Sequence, residues 1–194
     1  YAAAKLSGEA ALSGFASLYG WRAHAFRFGN SIGPRSNHGV VHDFVVKLLR
    51  DPIRLDILGD GTQAKPYIAV DDLVAGIRRG VAAPPRRSMT ILNVGTEGTV
   101  TVSRVAAIVI ESMGMALDSV DLAYAGADAG GGGWPGDTAY VEFETSALGA
   151  LGWAPALSEM EGGVSSTSSM RGHEARARWN MLVAHPNAIS GQAS

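Results

Sequence analysis

Cysteine is absent from the 194 residues. That excludes a disulfide framework, a thiol nucleophile and any cysteine-ligated zinc site, and it fits a cytoplasmic protein. No apolar run approaches the roughly 18–20 residues needed to cross a bilayer, and no signal-peptide pattern opens the chain. Charge of one sign is lacking too: 16 Lys+Arg stand against 18 Asp+Glu, a net charge of −2. A chain so balanced carries no global field to recruit nucleic acid or an anionic membrane. Charged residues make up only 18% and hydrophobic ones 46%, which rules out a disordered polyelectrolyte. A domain of this length can bury roughly 70% of the surface its unfolded chain exposes. An initiator methionine is also missing, since residue 1 is Tyr, so the chain reads as a piece of a longer product. What it has in excess is glycine, 25 residues, against an ordinary usage of about 7%.

Helical and extended patterns alternate along the first 125 residues. Tyr1 to Leu18 is rich in Ala, Leu, Glu and Lys and predicts a helix, with Leu12, Phe15, Ala16 and Tyr19 as its buried stripe and Gly20 at its end. Trp21 to Phe28 predicts a strand, followed by a turn-rich run from Gly29 to Asn37. A helix is expected from His38 to Arg50 with Phe44, Val45, Leu48 and Leu49 inward, then a strand at Leu55 to Leu58 and a turn at Gly59-Asp60-Gly61. Tyr67 to Val70 predicts a further strand, with Asp71-Asp72 as N-cap of a helix reaching Gly80. Ile91 to Val94 and Val120 to Tyr124 predict strands around a helix at Thr101 to Met113, striped by Val102, Val105, Ala106, Val109, Ile110 and Met113. This alternation implies an α/β fold with a largely parallel sheet. Residues 125–136 are glycine-dense and predict a loop, and beyond about residue 160 the pattern decays into a Ser/Thr tract and scattered arginines, read as a disordered tail.

Tyr1 and Lys5 are the first candidates for chemistry. On a helix, positions i and i+4 share a face, so phenol and ammonium can approach one small space. A tyrosine with a reference pKa near 10 is a poor base at neutral pH, and lowering it by about 3 units takes about 4 kcal/mol. An ammonium about 4 Å away at an effective dielectric of ~20 supplies roughly that amount. Tyr-x-x-x-Lys is therefore a physically adequate acid/base pair, although the same spacing also occurs in ordinary surface helices.

The surroundings of that pair add to it. Tyr1-Ala-Ala-Ala-Lys5-Leu-Ser-Gly8-Glu9, Arg27-Phe28-Gly29-Asn30-Ser31-Ile32-Gly33-Pro34-Arg35, and Gly59-Asp60-Gly61-Thr62-Gln63-Ala64-Lys65-Pro66-Tyr67 running on to Asp71-Asp72-Leu73 follow one another in order. Asn93-Val94-Gly95, Gly136-Asp137 and Leu151-Gly152-Trp153 complete the series. Together these blocks resemble the C-terminal portion of the extended short-chain dehydrogenase/reductases, in particular the NAD-dependent nucleotide-sugar epimerase/dehydratase family that includes UDP-glucose 4-epimerase. The resemblance covers roughly residues 1–160. It implies the end of a Rossmann-like core carrying a substrate-binding lobe, and an enzyme of nucleotide sugars that works by transient oxidation, with C4 epimerisation favoured over dehydration.

The resemblance also implies residue roles. Tyr1 matches the catalytic acid/base and Lys5 the lysine that supports it and holds the nicotinamide ribose; Phe28 lies in the segment against the nicotinamide. Asn30 matches a contact to the substrate diphosphate, Lys65 a substrate-phosphate cation that is more often Arg, and Asp137 the acid of a second substrate motif, Arg-x-Gly-Asp. Trp134 stands in the Arg position of that motif, so one expected cation is missing. The implied cofactor is NAD, with NADP left open. The implied partners are a nucleotide sugar and a second copy of the enzyme docked through the Tyr1 helix, with no metal, nucleic acid or membrane. The family's dinucleotide loop lies upstream of its tyrosine, so the 194 residues alone are expected to be inactive; a non-catalytic nucleotide-sugar-binding remnant or oligomerisation module is the alternative.

Three other patterns carry less. Gly131-Gly-Gly-Trp-Pro-Gly136 satisfies G-x-G-x-x-G but places Trp-Pro where a helix should open on a pyrophosphate. His38 and His42 share the spacing of a zinc-protease pair, but Gly39 occupies the position of the general base. Arg86-Arg87 is too short a basic run to bind nucleic acid.

Overall fold

The computed structural model describes residues 1–33, 36–84, 88–126, 132–134 and 136–156. The predicted tail lies outside the described residues, as do parts of the glycine-dense loop and of the run from Pro84 to Arg87.

Helix α1 runs Ala2–Tyr19 and β1 Ala23–Phe28, followed by β2 Asn30–Ile32 and α2 Val40–Arg50. Strands β3 Arg54–Leu58, β4 Ala64–Lys65 and β5 Tyr67–Ala69 lead to α3 Val70–Ala82. Next come β6 Met89–Val94, β7 Val100–Thr101, α4 Val102–Ser112, β8 Asp121–Ala125 and the short α5 Ser146–Gly149. Strand pairing is parallel for β1 with β6, β2 with β5 and β3 with β8, and antiparallel only for β4 with β7. Mostly parallel pairing with helical crossovers is the α/β class the sequence predicts, but the strands form four separate two-stranded sheets and not one largely parallel sheet.

Local chemistry explains most element ends. Gly20 closes α1 in the left-handed region (φ 66), where a residue with a Cβ would be strained, and the next amide, of Trp21, returns to Ala16 O at 2.9 Å. Thr101 caps α4, its Oγ1 accepting from Arg104 N at 3.2 Å. At α3 the expectation is corrected. The cap is Ala69, and Asp71 and Asp72 sit inside the first turn, where their charge complements the helix dipole.

Two apolar clusters hold the chain. One joins Phe44, Val45 and Leu48 of α2 to Leu55 and Ile57 of β3 and to Val105, Val109 and Ile110 of α4. The other gathers Leu73, Leu92, Val94, Leu148 and Trp153. Each fully buried branched side chain contributes about 1.5–3 kcal/mol. Strand β5 lies at the seam: successive side chains of a strand point to opposite faces, so Tyr67 enters the first cluster and Ile68 the second. That arrangement pins the residues immediately before it, Lys65 and Pro66.

Two predicted stripes are corrected. In α1 only Ala16 is buried, while Phe15 and Tyr19 are exposed and stack on one another with Trp21 in an open aromatic ladder. Leu49 of α2 is exposed as well. Both helices keep one packed face; the sequence overestimates its width because apolar residues also occur on their open sides.

Candidate active site

Tyr1 and Lys5 stand on the first turn of α1. The Lys5 amide donates to Tyr1 O at 3.1 Å, and the Lys5 ammonium lies 5.3 Å from the centre of the Tyr1 ring. The phenol is 96% exposed. The helix is fixed against β1 by a two-pronged contact: Arg27 Nε donates to Glu9 Oε1 at 2.8 Å and its second nitrogen to Oε2 at 2.6 Å. Those hydrogen bonds hold the Glu9 carboxyl below its usual range. Because Glu9 lies near the middle of α1 and Arg27 near the end of β1, the tyrosine end of the helix points toward the carboxyl end of β1. The carboxyl ends of parallel strands are where open α/β sheets receive their ligands.

Phe28, Gly29 and Asn30 leave β1 at that end. Gly29 N donates to Val94 O at 3.0 Å and Asn30 N to Pro66 O at 3.0 Å, tying the segment to the ends of β6 and β4. Phe28 and the Asn30 side chain are exposed.

Lys65, one residue before Pro66, forms the charged centre. Its Nζ donates to Asp137 Oδ1 at 2.5 Å, and the other carboxylate oxygen accepts from Gly133 N at 3.2 Å. The Asp137 side chain is 6% exposed and that of Lys65 21%. The same ammonium stands 5.3 Å from the centre of the Trp134 ring, which is 54% exposed. Below them Gln63 is buried, its Nε2 donating to Leu58 O at 3.0 Å while its Oε1 has no partner. Tyr67 is buried beside Asp137, and burial first, the carboxylate second, pushes its phenol up to about 12, so it is no base.

Of the six residues singled out by sequence, Lys65 and Asp137 touch, Phe28 and Asn30 gather beside them through Pro66, and Tyr1 with Lys5 forms a separate pair. No hydrogen bond or ion pair among the described residues joins the two groups. Sequence reasoning does not single out Gln63, Gly133 or Tyr67. Only the spacing Asp60-to-Tyr67, which turns a loop straight into a strand, hints that Gln63 is enclosed. The G-x-G-x-x-G match is no phosphate loop, because behind Gly136 the described chain runs without a helix to Ser146. No group of three metal-ligating side chains occurs among the described residues, and no described helix is long and apolar enough to cross a membrane.

Comparison with known proteins points to a family. The model of the NAD-dependent epimerase/dehydratase family matches residues 1–95, the stretch holding Tyr1, Lys5, Asn30 and Lys65. Over that stretch the chain is similar to the NAD-dependent epimerase/dehydratase family. It is 27% identical over 183 residues to a dTDP-glucose 4,6-dehydratase of Streptomyces griseus, spanning 94% of this chain and 52% of that protein. It superimposes on the UDP-glucose 4-epimerase of Thermotoga maritima, solved with UDP-glucose, at a TM-score of 0.74 with 26% identity, over 93% of this chain and 54% of that one. The UDP-glucose 4-epimerase of Thermus thermophilus, solved with NAD, gives a TM-score of 0.69 with 27% identity, over 88% and 54%. The chain thus spans about half the length of the relatives it matches, and its fold is that of the Rossmann-like extended short-chain dehydrogenase/reductases.

Proposed function

We propose that this chain serves an NAD-dependent epimerase acting at C4 of a nucleotide sugar, with Tyr1 as acid/base. One observation supports the reading: an open Tyr1–Lys5 pair stands toward the carboxyl end of β1, where Asn30 is tied through Pro66 to the neighbourhood of the Lys65 cation. A nucleotide sugar has a reacting hydroxyl at one end and a diphosphate in its middle, and it needs both.

The residues fit NAD. Lys5 has three donors, no carboxylate partner among the described residues and a place beside the phenol, which suits ribose hydroxyls; the exposed ring of Phe28 offers an apolar face to the nicotinamide. When bound, NAD⁺ supplies the acceptor and later the donor of the hydride at the sugar carbon. Tyr1 takes the proton of the C4 hydroxyl at its Oη, and Lys5 stabilises the phenolate before and the nicotinamide ribose throughout. The proton returns from Tyr1 to the same sugar oxygen once the other face of the keto sugar is presented. Asn30 and Lys65 hold the diphosphate while the sugar turns. A second copy docks through α1, whose Leu6, Phe15 and Leu18 are exposed apolar side chains.

Interconversion of UDP-galactose and UDP-glucose with NAD⁺ tests the reading in the protein that carries these residues. Conversion lost in Tyr1→Phe with UDP-glucose affinity retained supports it. Conversion at the wild-type rate in Tyr1→Phe overturns it.

A further inference from the structure

We propose that Trp134 determines which part of the nucleotide this site reads: its open indole face is the stacking platform for the base, while Lys65 behind it takes the phosphates alone. The inference rests on the nucleotide-sugar reading above and deepens it.

Three observations lead there. First, the two indole faces are unequal. The Lys65 ammonium, 5.3 Å from the ring centre, attends one of them, yet 54% of the residue remains exposed. An aromatic side chain left this open beside a polar site can take a planar partner, and bases stack on such faces whatever their identity. Second, the local charge is already balanced. Asp137, nearly fully buried, accepts from Lys65 through Oδ1 and from the Gly133 amide through Oδ2, so the Lys65–Asp137 pair is neutral as it stands. Lys65 spends one donor on Asp137 and keeps two for a phosphate. With one cation tied to a buried carboxylate, phosphate alone is a weak handle. Third, the backbone that carries the indole is held in place. A Cβ at Gly133, the preceding residue, would lie 3.3 Å from Gln63 Nε2, and Asp137 N donates to Trp134 O at 2.9 Å. An anchored backbone lowers the ordering cost of presenting the ring to a ligand. The ligand recognised is therefore a nucleoside diphosphate read through its base, rather than a bare diphosphate.

Calorimetric titration of the protein that carries these residues with UDP and with inorganic pyrophosphate, each at low and high salt, tests this, using Trp134→Ala and Trp134→Phe. The wild type is expected to bind UDP well above pyrophosphate. Trp134→Ala should weaken UDP about tenfold or more and leave pyrophosphate unchanged, Trp134→Phe should recover most of the loss, and melting temperatures should stay together because the side chain is exposed. If Trp134→Ala binds UDP as the wild type does, the platform is wrong while the nucleotide-sugar reading stands. Equal losses for UDP and pyrophosphate also overturn it, since Trp134 would then only prop Lys65. A wild type that binds no UDP overturns the nucleotide-sugar reading itself, and the platform with it.

Discussion

Lys65 and Asp137, 72 residues apart in sequence, meet at 2.5 Å with the carboxylate nearly sealed from solvent. The contact ties strand β4 to the segment that follows the glycine-dense loop, and it leaves the ammonium partly open on its other side. A pair this enclosed behaves unlike a surface ion pair, whose coupling is usually about 0–1 kcal/mol.

A double-mutant cycle on Lys65→Ala and Asp137→Ala, read by urea unfolding, should therefore give a coupling of about 1–3 kcal/mol. Lys65→Ala alone should be the costlier single change, because it strands a buried carboxylate without its cation. A coupling below about 0.5 kcal/mol would show the pair to be solvated.

For the ligand, Lys65→Ala should weaken nucleotide-sugar binding by roughly 1.5–3 kcal/mol, the usual value of a charge-assisted hydrogen bond, and flatten the salt dependence. An exposed loop lysine would change affinity by only about 0.5 kcal/mol or less. Titration with UDP-glucose at two salt concentrations separates the outcomes, and an unchanged affinity and salt slope would remove Lys65 from the phosphate site.

Tyr67 sets a limit at high pH. Its phenol is pushed up to about 12, chiefly by burial and secondly by Asp137. A group whose folded pKa is raised contributes its stability fully below the unfolded value, near 10, and loses it as pH rises toward 12. Stability should thus fall by about 1.4 kcal/mol per pH unit across that window from this group. In Tyr67→Phe that slope should vanish; urea midpoints measured at about pH 9 and about pH 11 that fall equally in both proteins would refute the assignment.

Gly61 is fixed by its turn. It has φ +79, and a Cβ there would run into Ser103 Oγ and Tyr124 Cε1. Gly61→Ala combines left-handed strain with overpacking and should cost about 2–4 kcal/mol by thermal or urea unfolding. A loss under about 1 kcal/mol would mean that the turn, and with it the approach to Gln63 and Lys65, can yield.

Sequence makes the scaffold readable wherever burial has a period. The α4 stripe of Val105, Ala106, Val109 and Ile110 is buried as its spacing predicts, and β3 alternates around Leu55 and Ile57. The short pieces β2, β4 and β7 escape such a reading, because two or three residues carry no period, and their partners Tyr67, Thr101 and Val100 are remote in sequence. The same limit governs the site. Lys65 and Asp137 are each legible through resemblance, but their contact depends on a long-range fold. In the sequence Trp134 shows only as an absent cation, since nothing local says which face of an indole is left open. Phe15 and Tyr19 look like core for the opposite reason: helical spacing identifies a shared face and cannot say whether anything covers it.

The acid/base assignment gives the sharpest functional expectation. Tyr1 and Lys5 share the first turn of α1, with the ammonium 5.3 Å from the ring centre, whereas the proposed diphosphate contacts, Asn30 and Lys65, lie on other elements. On the proposed reading, proton transfer and substrate affinity are therefore carried by different parts of the chain. Tyr1→Phe removes only the group that exchanges the proton, an interaction made as the reaction proceeds, so it should lower kcat by at least about 100-fold while leaving the affinity for UDP-glucose within about twofold. Lys5→Met should lower kcat as well, because the phenol loses the neighbouring ammonium that supports proton transfer. A merely structural role for α1 would instead move the melting temperature and both kinetic constants together. Equal loss of kcat and affinity in Tyr1→Phe, with a lowered melting temperature, would place Tyr1 in the scaffold and leave the acid/base to another residue.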